Sequence, residues 1–299
     1  MQHLSKFTLP LIGMLLLIFN TIQAQEIPLA EHPRPDFERK TWLNLNGTWA
    51  FKFDPSDEGI DKEWYKGTSG FDKEITVPFP WGSKLSGVED EADVAWYYKP
   101  IMINPNWPKD KRTFLTIGAA DWQTDVWLDG QHLGRHEGGY VPFSFEITEL
   151  IKANQAQHLI IRVDDKRRNH TLYGKQGYGN ARGIWQTIYL EARGQYHLDA
   201  LHFTPDIDQN KVDITAYLAQ AADQELDLSL AIAGLDNPIQ EEVKVPAGKT
   251  KVQFSVNIPD ARLWSLDDPF LYEVQAKLED DEVHSYFGMR KISVEKLRI

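Results

Sequence analysis

The 299-residue sequence contains no cysteine, so neither a disulfide framework nor a lipid-bearing cysteine behind an export signal is possible. Its fold must be held by packing alone. Long apolar runs are also missing. The longest, Leu9 to Phe19, covers eleven residues, well short of the ~20 that a membrane-spanning helix requires. Positive charge is in deficit, with 32 Lys and Arg against 44 Asp and Glu and a formal net charge of −12. That balance argues against a nucleic-acid partner, which needs clustered cations, and the single basic run Lys166-Arg167-Arg168 is too short to alter it. The nine histidines are read as carrying no zinc site, no Gly-x-Ser-x-Gly elbow is present, and the glycine-rich loop Tyr173–Gly183 lacks the Gly-Lys-Ser/Thr ending of a phosphate loop. No metal or cofactor is therefore expected.

The N-terminus has a character of its own. Lys6 supplies a positive start, the apolar stretch follows, and a small residue stands at Ala24, which together read as a signal peptide over residues 1–24. The expectation is a secreted or periplasmic protein with no membrane insertion after cleavage. From Thr41 onward Gly, Pro, Asn and Asp recur at short intervals between segments rich in Trp, Tyr, Phe, Val and Ile, which predicts an all-β chain. Asp129-Gly130, between the β-prone runs Asp125–Leu128 and Gln131–Gly134, predicts a type I′ hairpin. Further strands are expected at Arg112–Ile117, His158–Val163 and Ile184–Leu190.

After Arg193-Gly194 the pattern changes to strict alternation. Val212, Ile214, Ala216 and Leu218 form one such series, Leu226, Leu228, Leu230 and Ile232 a second, and Val252, Phe254, Val256 and Ile258 a third. Period two means one buried and one wet face, and about seven short strands in ~100 residues is the count of an immunoglobulin-like sandwich. The chain thus divides into a first domain over residues 30–194 and a second over 199–299, with the hinge expected near Gly194. Nine of the ten tryptophans lie before residue 194. Aromatic rings stack on sugars, but most of these are expected in the core of a large sandwich.

Leu45-Asn46-Gly47-Thr48-Trp49 and Val77-Pro78-Phe79-Pro80-Trp81 resemble the sugar-binding domain of glycoside hydrolase family 2, the family of β-galactosidases, β-glucuronidases and β-mannosidases. Ala95-Trp96-Tyr97-Tyr98-Lys99 and the block from Asp125 through Gly139 to Ile147-Thr148 extend the resemblance, as does Gly183-Ile184-Trp185-Gln186. In the second domain Leu263-Trp264-Ser265, Pro269-Phe270-Leu271-Tyr272 and Phe287-Gly288-Met289-Arg290 are similar to the family's immunoglobulin-like domain. The resemblance implies a jelly-roll, galactose-binding-like sandwich followed by an immunoglobulin-like sandwich. It also implies a catalytic (β/α)₈ barrel next in order, carrying two glutamates. A barrel takes ~250 residues, and only Ser293 to Ile299 follow the last match. No catalytic residue is therefore assigned, and the expectation is the non-catalytic N-terminal region of a secreted glycosidase, with carbohydrate and the missing barrel as its partners. A stand-alone carbohydrate-binding protein and a purely structural sandwich pair are the alternatives.

Three residues are candidates for substrate binding. Asp93, in the acidic loop Glu89-Asp90-Glu91-Ala92-Asp93, stands where the family's loop before the Trp-Tyr strand reaches toward the sugar, against the plain reading of a solvated loop. Asp165 follows the strand ending at Val163, and a carboxylate there accepts two hydroxyl donors, against the reading of a surface turn partnered by Lys166 to Arg168. Arg182 closes the glycine- and tyrosine-rich loop that begins at Tyr173, and is expected either to pin that loop to a carboxylate such as Asp165 or to reach the sugar.

Overall fold

A computed structural model describes residues 27–166 and 182–293. The signal-peptide segment and nearly all of the Tyr173–Gly183 loop lie outside the described residues. The protein is all-β. In the first domain the strands are β1 Trp42–Asn44, β2 Gly47–Phe53, β3 Lys73–Val77, β4 Val94–Met102, β5 Arg112–Ile117, β6 Ala120–Asp121, β7 Gln123–Leu128, β8 Gln131–Glu137, β9 Phe143–Glu146, β10 Ala156–Asp164, β11 Gly183–Ile184 and β12 Ile188–Arg193. They form a four-stranded sheet in the order β1-β12-β5-β9 and a six-stranded sheet in the order β3-β2-β4-β10-β7-β8, with β11-β6 as a short third ladder. Every pairing between these strands is antiparallel.

The predicted hairpin joins β7 to β8. Asp129 and Gly130 have φ of 50° and 81°, the positive values that a type I′ turn needs at both central positions. Strand β10 reads Leu159-Ile160-Ile161-Arg162-Val163 without alternation because both of its faces are covered. One face joins the main core with Trp49, Phe51, Trp81 and Tyr97. On the other, Ile160 packs with Trp96 and Trp127 beneath Trp64, Tyr65 and Phe71 of the segment that connects β2 to β3. Asp54 anchors that segment, accepting hydrogen bonds from the Glu58 and Gly59 amides and from Trp96 Nε1, all at 2.9 Å. The core therefore absorbs Trp49, Trp81, Trp96 and Trp127, leaving Trp42, Trp107 and Trp185 among the partly exposed ones.

The second domain contains β13 Leu198–Asp206, β14 Lys211–Leu218, β15 Leu226–Ile232, β16 Ile239–Val245, β17 Lys251–Asn257, β18 Tyr272–Leu278 and β19 Asp281–Phe287. They pair as β13-β14-β17 and β16-β15-β18-β19. The alternation read from the sequence is the burial pattern observed: Val212, Ile214, Ala216 and Leu218 face inward, as do Leu226, Leu228, Leu230 and Ile232.

Two features of the domain junction have no counterpart in the hydrophobic pattern. The segment before β1 leaves the first domain, so that Phe37 lies in the second domain's core and Glu38 exchanges backbone hydrogen bonds with His284 at 2.8 Å each way. The junction near Gly194, where the hinge is expected, is crossed by hydrogen bonds. Asp281 accepts hydrogen bonds from the Gly194 and Leu198 amides at 3.0 Å, and Arg39 binds both Asp281 and Glu191. All three charged side chains are buried.

Candidate functional site

The site grows from the ends of two paired strands. In the β4–β10 ladder Val94 stands opposite Asp164, so the next residues outward, Asp93 and Asp165, continue the register past the sheet. The Asp165 amide donates to the Asp93 carbonyl at 2.8 Å. Arg182 reaches the same edge from across the chain, held by a backbone bridge to Trp81. Its Nη1 hydrogen-bonds Asp93 and lies 3.5 Å from Asp90, while its Nε stands 3.4 Å from Asp165 Oδ2. The Nε makes no hydrogen bond, so the contact with Asp165 is ionic. The three residues singled out in the sequence thus share one cluster, and Arg182 pairs with the carboxylate expected for it. They differ in setting: the Asp165 side chain is buried, whereas that of Asp93 is nearly half exposed.

A fourth acidic residue was not singled out. Asp121 ends β6 and pairs with Gly183 beside Arg182. Its neighbour Gly139 has no room for a side chain, since a Cβ there would lie 2.7 Å from Asp121 Oδ1. Burial pushes the Asp121 carboxyl above the usual range. Asp165 is pushed up to about 7, chiefly by burial and then by the charge of Asp121, with Asp93 and Asp164 adding to the rise and Arg182 opposing it. Two or more carboxylates close together in a partly dry setting cannot all ionise freely, so a proton is retained near neutral pH. The clue in the sequence was Asp121-Trp122 directly after the apolar Gly118-Ala119-Ala120.

An aromatic rim borders the cluster. Trp185 Nε1 donates to the Gly139 carbonyl at 2.8 Å, and Tyr140 meets the Trp185 ring edge-on at 5.8 Å between centroids. Tyr140 is 80 % exposed, which leaves its ring available to a ligand. Carboxylates that accept hydroxyl donors, one arginine and an exposed ring are the functional groups that carbohydrate recognition uses. Among the described residues no group of three or more His, Cys, Asp or Glu is disposed to hold a metal. His132 and His136, four apart on β8, point to separate tasks: His132 contacts Asp125 at 3.1 Å and His136 stacks on Phe143 at 4.1 Å.

Two antiparallel sandwiches in series, the first ending in an acidic and aromatic edge, define a tandem β-sandwich module of the glycoside hydrolase type. Residues 42–193 match the model of the glycosyl hydrolases family 2 sugar binding domain and residues 196–290 that of the glycosyl hydrolases family 2 domain which follows it. The chain belongs to glycosyl hydrolases family 2. Among its relatives, the β-glucuronidase of Rattus norvegicus is 24% identical over 84% of this chain and 45% of its own length. That of Canis lupus familiaris is 26% identical over 78% and 40%, and that of Bacteroides fragilis 24% over 79% and 35%. The solved β-glucuronidase of Ruminococcus gnavus superposes with a TM-score of 0.69 at 18% identity, covering 86% of this chain and 46% of that one. The Lactobacillus rhamnosus enzyme gives 0.67 at 21%, covering 85% and 45%. The chain therefore spans less than half the length of these relatives, and corresponds to the N-terminal region of a β-glucuronidase-like glycosidase.

Proposed function

We propose that this chain forms one wall of the sugar pocket of an exported glycosidase of the β-glucuronidase type and does not hydrolyse glycosides by itself. The convergence of Asp93, Asp165 and Arg182 on one edge, beside the exposed ring of Tyr140, carries this reading. Asp93 offers an accessible carboxylate to sugar hydroxyls, and Arg182 fixes its position. Asp165 and Asp121 set the protonation of the wall. The relatives are β-glucuronidases, and one of the similar solved structures, from Ruminococcus gnavus, is a complex with D-glucuronic acid. Hydrolysis needs two carboxyl groups flanking one glycosidic bond, about 5 Å apart for retention. The family resemblance assigns that pair to the barrel.

One wall supplies few convergent contacts, so affinity for a simple glycoside is expected on the order of millimolar, about 4 kcal/mol short of micromolar binding. Calorimetric titration with glucuronides, galactosides, mannosides and xylosides tests this, alongside assays for release of the aglycone from aryl glycosides. Micromolar binding lost in Asp165→Ala would show an autonomous site. Turnover abolished by a substitution within this chain would refute the non-catalytic assignment. Export rests on Lys6, the apolar stretch from Leu9 and the small residue Ala24. N-terminal sequencing of the exported protein is expected to begin at Gln25, and retention of the full N-terminus would overturn it.

A further inference from the structure

At the far end of β4 from Asp93, the strand runs out at Met102 into an open cleft of about 690 Å³. Trp42 of β1 and Trp107 of the loop after β4 both line it, together with the amide side chains of Asn104, Asn106 and Asn154. Trp107 is held in place, because its Nε1 donates to Thr113 Oγ1 at 2.8 Å while part of its ring packs on the core. Trp42 is braced from behind by the edge of His32, with centroids 4.7 Å apart. Both indoles are thus fixed before any ligand arrives, and Asn104, Asn106 and Asn154 are exposed.

A second cleft of about 190 Å³ adjoins the first and shares Asn104, Pro105 and Trp107 with it. The charge of the pair runs against that of the whole protein. Lys40 lines the first cleft and Lys109 and Lys111 the second, and no Asp or Glu lines either. Lys111 is paired with Asp280 at 3.2 Å. Lys40 and Lys109 are exposed and take part in no ion pair among the described residues. Lys40 and Lys111 also border a neighbouring hollow lined by Asp280, Asp281 and Glu282, so the excess of positive charge in the two clefts rests on Lys109 and Lys40; in a chain of net charge −12 such a lining favours an anionic ligand.

We propose that the Trp42–Trp107 cleft binds an acidic oligosaccharide chain whose sugar rings stack on the two indoles, whose hydroxyls bond the asparagine amides, and whose uronate carboxylates lie near Lys40 and Lys109. Aromatic faces and side-chain amides provide the recognition common to all sugars, and the two lysines distinguish acidic chains from neutral ones. The nine residues of β4 separate the cleft from Asp93 by roughly 30 Å, at ~3.3 Å per residue, so a simple glycoside cannot occupy both places. A bound polymer would be held to the protein by contacts that do not depend on the cluster at Asp165.

The test titrates the full chain with oligogalacturonate and, separately, with neutral xylohexaose at low ionic strength, reading tryptophan fluorescence and heat. Oligogalacturonate is expected to bind, and Trp42→Ala to weaken it about tenfold, the scale of one ring–sugar stack. The surface pair Lys40→Glu with Lys109→Glu should weaken it comparably without altering the thermal midpoint, so that loss of binding cannot be confused with loss of fold. Asp165→Asn should leave it unchanged. Equal affinity for xylohexaose, full binding in Trp42→Ala, or loss of binding in Asp165→Asn would each overturn the proposal. Those last two outcomes would place the ligand elsewhere.

Discussion

Arg39 forks onto Asp281 across the domain junction, Nε to Oδ1 and Nη2 to Oδ2 both at 2.9 Å, and uses its remaining nitrogen on Glu191 at 2.9 Å. One guanidinium thereby joins the segment before β1, the last strand of the first domain and the last strand of the second. Arg39→Ala would leave two carboxylates in a site with almost no solvent. Breaking such a buried pair from one side costs about 3–5 kcal/mol. Urea unfolding followed by far-UV circular dichroism should show a loss of that size. Arg39→Lys should recover little of it, because an ammonium cannot match a planar two-point contact. A change under 1 kcal/mol in Arg39→Ala would mean that the junction is held by something else.

The same junction should make the protein sensitive to acid. Burial and the charges of Arg193 and Arg39 hold His197 down to about 4, below the ordinary 6.5. Burial opposes ionisation of Glu191, yet His32, Arg39 and Arg193 outweigh it and bring the carboxyl to about 2. In both cases the unfolded chain binds more protons than the folded one over the interval between the two pKa values. The stability contributed by these two groups is therefore present in full above about pH 6.5, falls as His197 is forced to protonate between 6.5 and 4, and falls again below about 4.5 as Glu191 does, whereas Asp165 acts in the opposite sense between about 4 and 7. Thermal midpoints of the parent and of His197→Gln, compared from pH 8 to pH 3, isolate the upper step: the parent should lose stability relative to the variant as pH falls from about 6.5 to 4. A parent-to-variant difference that stays constant between pH 7 and pH 4 would contradict it.

Both predictions concern the domain junction, which the sequence reveals far less than it does the strands. Leu226, Leu228, Leu230 and Ile232 announce their strand because one face is wet, and period-two alternation is then forced. Asp93 and Asp165 stood out through the family resemblance rather than through any local pattern, and the β4–β10 pairing is what brings them to one edge. Asp121 did not, because its partnership with Asp165 depends on how β6 and β10 are brought together, which no local pattern encodes. Phe37 was invisible for a related reason: a single apolar residue in an irregular segment has no period to reveal which of two cores it enters. The Arg39 junction combines both difficulties, being three isolated charges from three distant segments. Such residues read as ordinary surface charge until the fold places them together.

The titration of Asp165 gives a test at the candidate site. Its carboxyl, at about 7, is raised from the ordinary 3.8, so the folded state holds the proton more tightly than the unfolded one. That contribution is fully present below about pH 3.8 and is lost as pH rises through 7. Asp165→Asn removes the ionisation while keeping the shape. Relative to the parent, the variant should therefore gain stability progressively from pH 4 to pH 8. A stability difference that does not change with pH would show that Asp165 titrates as an ordinary carboxylate.

Gly183 connects the packing of the core to the charge cluster, and its replacement should disturb both. The residue has φ of +84°, where a side chain is strained, and a Cβ would lie 2.3 Å from Trp81 Cζ3 and from Tyr97 Oη. Both rings are fully buried and have no room to withdraw. Strain at positive φ and overpacking together should cost Gly183→Ala about 2–5 kcal/mol. The consequence for the site follows from the chain: Arg182 is the preceding residue and is held by its bridge to Trp81, so a displaced Trp81 should draw the guanidinium away from Asp93 and Asp165. Arg182 opposes the rise in the Asp165 pKa, and its withdrawal should move that pKa above 7. Carboxyl-selective NMR titration of Asp165 in Gly183→Ala and in Arg182→Ala should show the same upward displacement in both. If Gly183→Ala loses stability while Asp165 titrates as in the parent, the backbone bridge at Trp81 does not position Arg182, and the side chain is held by its carboxylate partners alone.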